Sequence, residues 1–202
     1  MGDSGKSGLL VSTRYMNRDV NTAVSTWFGP RFGELHPLLQ ALHLHGGTLR
    51  GVVEIRTGRG IAGWLGRRLA RSLGIPVDQR HRGFTVSIQH DKDALNWIRH
   101  FDGGAVMISR FEPIGAWPQG YWRERTGPMS LHLTVDVVDQ GWEWRPLRAS
   151  FRNVRIPLCL LPKSRAGKRI EDGKYVFLVE FSVPVIGKVL SYSGALEAEC
   201  SS

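Results

Sequence analysis

Between Met129 and Val183 the chain alternates apolar and polar side chains with period two. Met129, Leu131, Leu133, Val135 and Val137 fall on one side, and Ser130, His132, Thr134 and Asp136 on the other. After a gap, Tyr175, Phe177, Val179, Phe181 and Val183 repeat the pattern. Successive strand side chains point to opposite faces, so this pattern predicts antiparallel sheet with one buried face. It restricts the architecture strongly and names no chemistry.

Helical signals are confined to the first half. From Pro30 to about Leu44, Phe32, Leu35, Leu39 and Leu42 follow three-to-four spacing, and Pro37 is placed to open a second short helix at its first turn. Gly46 and Gly47 end it. A strand follows over Leu49 to Thr57, with Leu49, Val53 and Ile55 on one face. A second helix is predicted over Ile61 to Leu73, its apolar stripe made of Ile61, Trp64, Leu65, Leu69 and Leu73, and stopped by Gly74 and Pro76. Trp64, Leu65 and Leu69 are expected to pack on the strand face that carries Phe177 and Phe181, which makes Trp64 a core residue.

The rest reads as strands separated by turn signals, among them Asp102-Gly103-Gly104, Asp139-Gln140-Gly141 and Glu171-Asp172-Gly173. The predicted fold is α+β: a large curved antiparallel β-meander, a half-open barrel-like sheet, with two N-terminal helices packed on it. Residues 1–27 are expected to be a flexible N-terminal segment, 28–198 a single domain and 199–202 a tail. A sheet of this many strands normally curls. Its concave face then either fills with side chains or encloses a ligand cavity.

Composition narrows the function classes. At 202 residues and 42% hydrophobic content, the chain can bury a sizeable core. No run of apolar residues is long enough for a spanning helix, and Met1 to Asn21 lacks the apolar stretch of a signal peptide. Cys159 and Cys200 are far apart and read as free thiols in a cytoplasmic protein. The net charge of +9 would attract anionic partners. No block of consecutive Lys or Arg and no zinc-finger or helix-turn-helix pattern accompanies it, so nucleic acid is not favoured. Arginines spread along outward strand faces account for the charge.

The segments LHLHGGTLRGVVEIRTGRG (Leu42 to Gly60), WLGRRLARSLGIP (Trp64 to Pro76), RIPLCLLP (Arg155 to Pro162), EDGKYVFLVEFSVPVIG (Glu171 to Gly187) and LSYSGALE (Leu190 to Glu197) occur in that order. Together they resemble the bacterial domain-of-unknown-function 4166 family over about Phe28 to Glu197. The resemblance implies a stand-alone module, or a domain attached to larger proteins such as saccharopine-dehydrogenase-like oxidoreductases. It supplies no catalytic residues. The chain departs from the usual pattern where Lys168-Arg169-Ile170 replaces an acidic stretch before Glu171.

Several motifs imitate chemistry. Gly2-Asp3-Ser4-Gly5-Lys6-Ser7 has too few residues between its glycines for a phosphate loop. Gly58, Gly60 and Gly63 complete a dinucleotide-type spacing, but the surrounding chain is antiparallel rather than βαβ, so a strand-to-helix turn is expected. His36, His43 and His45 cluster without a nearby carboxylate or thiol and are read as helix-end and turn residues, not metal ligands. Arg67, Arg68 and Arg71 on the second helix are read as snorkelling residues, with contact to an anionic membrane as the alternative.

These readings favour a binding module for a small apolar or anionic, lipid-like ligand. Arg110, Arg125, Trp122 and Trp142 are the candidate ligand-binding residues, because the arginines flank an aromatic segment and could meet a carboxylate or phosphate. Non-enzymatic roles are preferred, with no catalytic residue, metal or cofactor assigned. The alternatives are an enzyme of unknown reaction, in which His132, Asp136 and Glu180 would have to converge, an accessory domain of an oxidoreductase, or a structural and protein-interaction domain. The other expected partner is a weakly contacted anionic membrane.

Overall fold

The alternating stretches form strands, and the strands close on themselves. The computed structural model describes residues 22–201. Among these residues there are three α-helices, α1 (Ala23–Phe28), α2 (Pro37–His45) and α3 (Gly60–Leu73), with a 3-10 turn at Gly29–Glu34. The strands are β1 (Gly47–Thr57), β2 (His81–Asp91), β3 (Ala94–Phe101), β4 (Ala105–Ile114), β5 (Tyr121–Thr126), β6 (Met129–Val138), β7 (Gly141–Phe151), β8 (Val154–Ile156), β9 (Lys163–Glu171), β10 (Lys174–Val183) and β11 (Gly187–Cys200).

The ring runs β6-β5-β4-β3-β2-β1-β11-β10-β9-β7, and β6 pairs with β7 to complete it. Strand β8 lies outside the ring as a hairpin partner of β7. The half-open sheet expected from sequence is thus corrected to a closed ten-strand antiparallel barrel with one extra strand and three helices. The closing contacts explain the error. Strand β1 pairs with β11 from Gly47↔Cys200 to Thr57↔Leu190, and β7 pairs with β9 at Trp142↔Lys168, skipping β8. Neither pairing has a local signature. Hairpins do: Asp139-Gln140 takes φ of 47° and 60°, as a two-residue type I′ turn requires.

Two corrections concern the helices. Helix α1 begins inside the segment expected to be flexible, capped by the Thr22 side chain, with Val24 and Trp27 buried. Residues 1–21, including the phosphate-loop imitation, lie outside the described residues. Helix α3 presents a different face from the one its apolar stripe suggests. Ile61 is 71% and Trp64 58% exposed, while Ala62, Gly63, Gly66 and Ala70 are buried and Leu65, Leu69 and Leu73 are half-buried. The small residues win because the helix sits almost backbone-to-backbone on the barrel. A Cβ at Gly66 would collide with the Val189 carbonyl, and one at Gly63 with the Gly58 carbonyl. The glycine spacing therefore serves close packing of strand, turn and helix.

Helices α1 and α2 plug the end of the barrel at which β1 begins. Trp27 lies tilted against Trp122, with ring centres 5.4 Å apart, and Phe28 stacks on Trp142 at 5.2 Å. Leu39 and Leu42 of α2 are fully buried. Ten strands exceed the roughly eight whose side chains just fill a barrel. With one end plugged, space remains toward the other.

Candidate functional site

The space is a cavity of about 900 Å³ inside the barrel. Its wall is built by strand alternation: Phe84 and Val86 from β2, Met107 and Phe111 from β4, Leu131 and Leu133 from β6, and Phe177, Val179 and Phe181 from β10. Phe177, Val179, Phe181 and Trp144 face inward yet are only half-buried, as expected of side chains that line a hollow rather than fill a core. Away from the helical plug the lining continues to Pro128, Met129, Phe151, Leu158 and Leu161. Phe151 and Leu158 are 40% and 39% exposed, which marks this end as the mouth.

Two buried basic side chains, Arg99 and Lys168, interrupt the apolar wall, and the exposed Arg145 and Lys163 also border it. Arg99 (β3) is buried and donates from Nη1 to Ser109 Oγ at 2.8 Å. Ser109 Oγ lies 2.5 Å from Thr126 Oγ1, which donates to Glu124 Oε1 at 3.1 Å. This hydroxyl relay links the guanidinium to a half-buried carboxylate without direct contact, and Arg99, Glu124 and Thr126 all line the cavity. The guanidinium carbon also lies 5.3 Å from the centre of the Trp97 ring.

Lys168 (β9) is the second, near the plugged end. Its Nζ is 2.9 Å from Nε2 of the fully buried His43 (α2), 3.5 Å from the centre of the Trp142 ring and 4.4 Å from that of Trp97. Burial, with repulsion from Arg99 second, pushes the amine well below the ordinary lysine range. Burial, then the charge on Lys168 and that on His90, pushes His43 well down too. Nδ1 of His43 has no hydrogen-bond partner. Burial raises the Tyr175 and Tyr192 phenols, so both cavity-lining tyrosines stay neutral. The described carboxylate ion pairs all involve other side chains than Arg99 and Lys168.

The residues singled out from sequence divide cleanly. Trp122 and Trp142 line the cavity. Arg110 and Arg125 stand on the outer barrel face, because β4 turns Ser109 and Phe111 inward and β5 turns Trp122, Glu124 and Thr126 inward. Arg110 pairs there with Asp91 at 2.8 Å and Glu112 at 3.2 Å, and Arg125 lies 3.9 Å from Glu112. His132, Asp136 and Glu180 do not converge: His132 stacks on Tyr121, Asp136 pairs with Arg145, and Glu180 pairs with Lys188. His36 caps α2 through Nδ1, whereas His43 is in the core and not at a helix-end surface. Among the described residues no group of His, Cys, Asp or Glu could hold a metal ion, and no helix is long and apolar enough to cross a membrane.

Sequence reasoning missed Arg99, Lys168 and His43. The signal for Arg99 is available: it shares the parity of Trp97 and Phe101 in β3, so it must point inward with them. Lys168 shares parity with Ala166 and Ile170, too weak a pattern to declare a face.

No curated protein matches the chain. A family model described as Domain of unknown function (DUF4166) matches residues 35–196, which span all of the barrel strands but the last few residues of β11, and the chain belongs to that family.

Proposed function

We propose that this protein binds one small apolar molecule inside the barrel, with an electron-rich oxygen at one end of the molecule directed to the buried N–H donors of Arg99 and Lys168. The observation that carries this reading is an apolar cavity of about 900 Å³ whose wall holds Arg99 with no carboxylate in direct contact. A buried guanidinium has five N–H donors to satisfy, and a carboxylate or carbonyl oxygen satisfies them at least desolvation cost. The volume suits a lipid-sized molecule. The apolar mouth favours entry with the polar end leading toward Arg99 and Lys168.

The test is a titration with cis-parinaric acid, a fluorescent polyene fatty acid, read by energy transfer from the tryptophans around the cavity. Saturable binding at one site is expected. Arg99→Met should weaken it by about ten-fold to a hundred-fold, the loss of a charge-assisted hydrogen bond of about 1.5–3 kcal/mol. Absence of saturable binding, or equal affinity in Arg99→Met, overturns the reading.

A second reading is favoured by one observation on the outside. Ile61 and Trp64 are exposed beside Arg67, Arg68 and Arg71, also exposed, on α3. This is the composition of a helix that rests on an anionic bilayer. Co-sedimentation with phosphatidylserine vesicles should fall in Trp64→Ala and at high salt; unchanged sedimentation removes the reading.

A further inference from the structure

The other lysines of the described chain, Lys92, Lys163, Lys174 and Lys188, are exposed, whereas Lys168 is buried at the inner end of the cavity. The groups around its amine come from separate elements: His43 from α2, Trp97 and Arg99 from β3, Trp142 from β7 and Tyr175 from β10. None is an anion. A lysine kept as a cation would be expected beside a carboxylate, and one kept for packing could be methionine at lower cost. Desolvation and the nearby Arg99 guanidinium favour the free amine, and they outweigh the faces of Trp142 and Trp97, which favour the ammonium. A free amine in an apolar pocket differs from every neighbouring group in one chemical capacity: it adds to carbonyl carbon.

We propose that Lys168 holds the ligand covalently, as an imine between its Nζ and an apolar aldehyde or ketone. This rests on the cavity admitting an apolar molecule, and narrows the electron-rich end of that molecule to a carbonyl. The amine lone pair forms the N–C bond while the carbonyl π electrons move to oxygen. The proton then carried by nitrogen passes through Nε2 of His43 to that oxygen, giving a carbinolamine. The remaining N–H proton then passes through Nε2 of His43 to the hydroxyl as the nitrogen lone pair expels it, so that water leaves, the neutral imine remains and His43 is again neutral. One water is released for each imine, and nothing is oxidised or reduced. His43 is suited to the relay because its ring is buried, neutral and held against Trp142, with ring centres 4.6 Å apart. Arg99, on the same wall beside Trp97, favours the developing negative charge on oxygen.

The experiment uses the full chain with decanal and cyanoborohydride, which reduces an imine to a stable secondary amine. Intact mass and peptide mapping locate the adduct. An ordinary lysine at about pH 7.5 has about one amine in a thousand neutral, so Lys168 should label about ten-fold or more faster than Lys92, Lys163, Lys174 and Lys188. Decanol, which fits the same cavity and cannot form an imine, should suppress labelling of Lys168 and leave Lys92, Lys174 and Lys188, which lie off the cavity, unaffected. His43→Gln should slow labelling while cis-parinaric acid still binds. Labelling no faster at Lys168 than at the surface lysines, with cis-parinaric acid still bound, overturns the imine and leaves the binding reading intact. Loss of both overturns both.

Discussion

Replacing Lys168 with Met should change how stability depends on pH, and the size of the change follows from burial. The amine is pushed down by desolvation and by Arg99, while in the unfolded chain it returns to about 10.4. Between the lowered folded value and about 10.4 the unfolded state therefore binds one proton more than the folded state. Stability then rises with pH, by about 1.4 kcal/mol per pH unit where the folded amine is fully neutral. The same sign holds for His43 in a lower window, closing at about 6.5. Tyr175 and Tyr192 act oppositely above about pH 10, since their folded phenols stay protonated when unfolded ones ionise. Urea denaturation at about pH 7.5, 8.5 and 9.5 lies above the histidine window and below the tyrosine one. Over that span the parent should gain up to about 2.7 kcal/mol relative to Lys168→Met, which lacks the titrating amine. Parallel pH dependences in the two proteins would show that the amine keeps its ordinary protonation, and the argument from burial would fail.

Other consequences are testable on the same footing. Gly66→Ala should destabilise the protein by about 2–3 kcal/mol in urea, because its methyl group meets the Val189 carbonyl across the seam between α3 and β11; an unchanged midpoint would mean that the helix does not sit there. Trp64→Ala should alter stability by no more than about 0.5 kcal/mol, since the indole is exposed, where a core tryptophan would cost about 3–5 kcal/mol. Ala166→Trp, directed into the cavity from β9, should weaken cis-parinaric acid binding about ten-fold or more while Tm stays near that of the parent. Equal affinity in that variant would place the bound acid elsewhere.

Much of the fold was legible because strand parity is a local property. The inward sets Leu131, Leu133 and Val135, and Tyr175, Phe177 and Val179, follow directly from alternation. Hairpin turns such as Asp139-Gln140 were legible from turn chemistry. Closure was not, because the β1–β11 and β7–β9 pairings join segments whose sequences carry no mutual code. The face of α3 was misread for a physical reason: hydrophobicity marks Ile61 and Trp64, but contact with β11 is decided by the small size of Gly63 and Gly66, which lets the backbones approach. The site was less legible than the fold. Trp122 and Trp142 were singled out and line the cavity, yet an arginine near aromatics was sought on β4 and β5, where Arg110 and Arg125 face outward. Parity with Trp97 would have selected Arg99. The pairing of His43 with Lys168 joins residues far apart in the chain, and only the closed barrel brings them together.

The most direct test of a hollow barrel with its polar groups at depth is a crystal structure of the protein with ω-brominated dodecanoic acid, read by the anomalous signal of bromine. One bromine is expected inside the barrel toward the mouth lined by Met129, Phe151 and Leu158, with the carboxylate beside Arg99 or Lys168. An interior filled by its own side chains, or bromine found only on the outer surface, would contradict it.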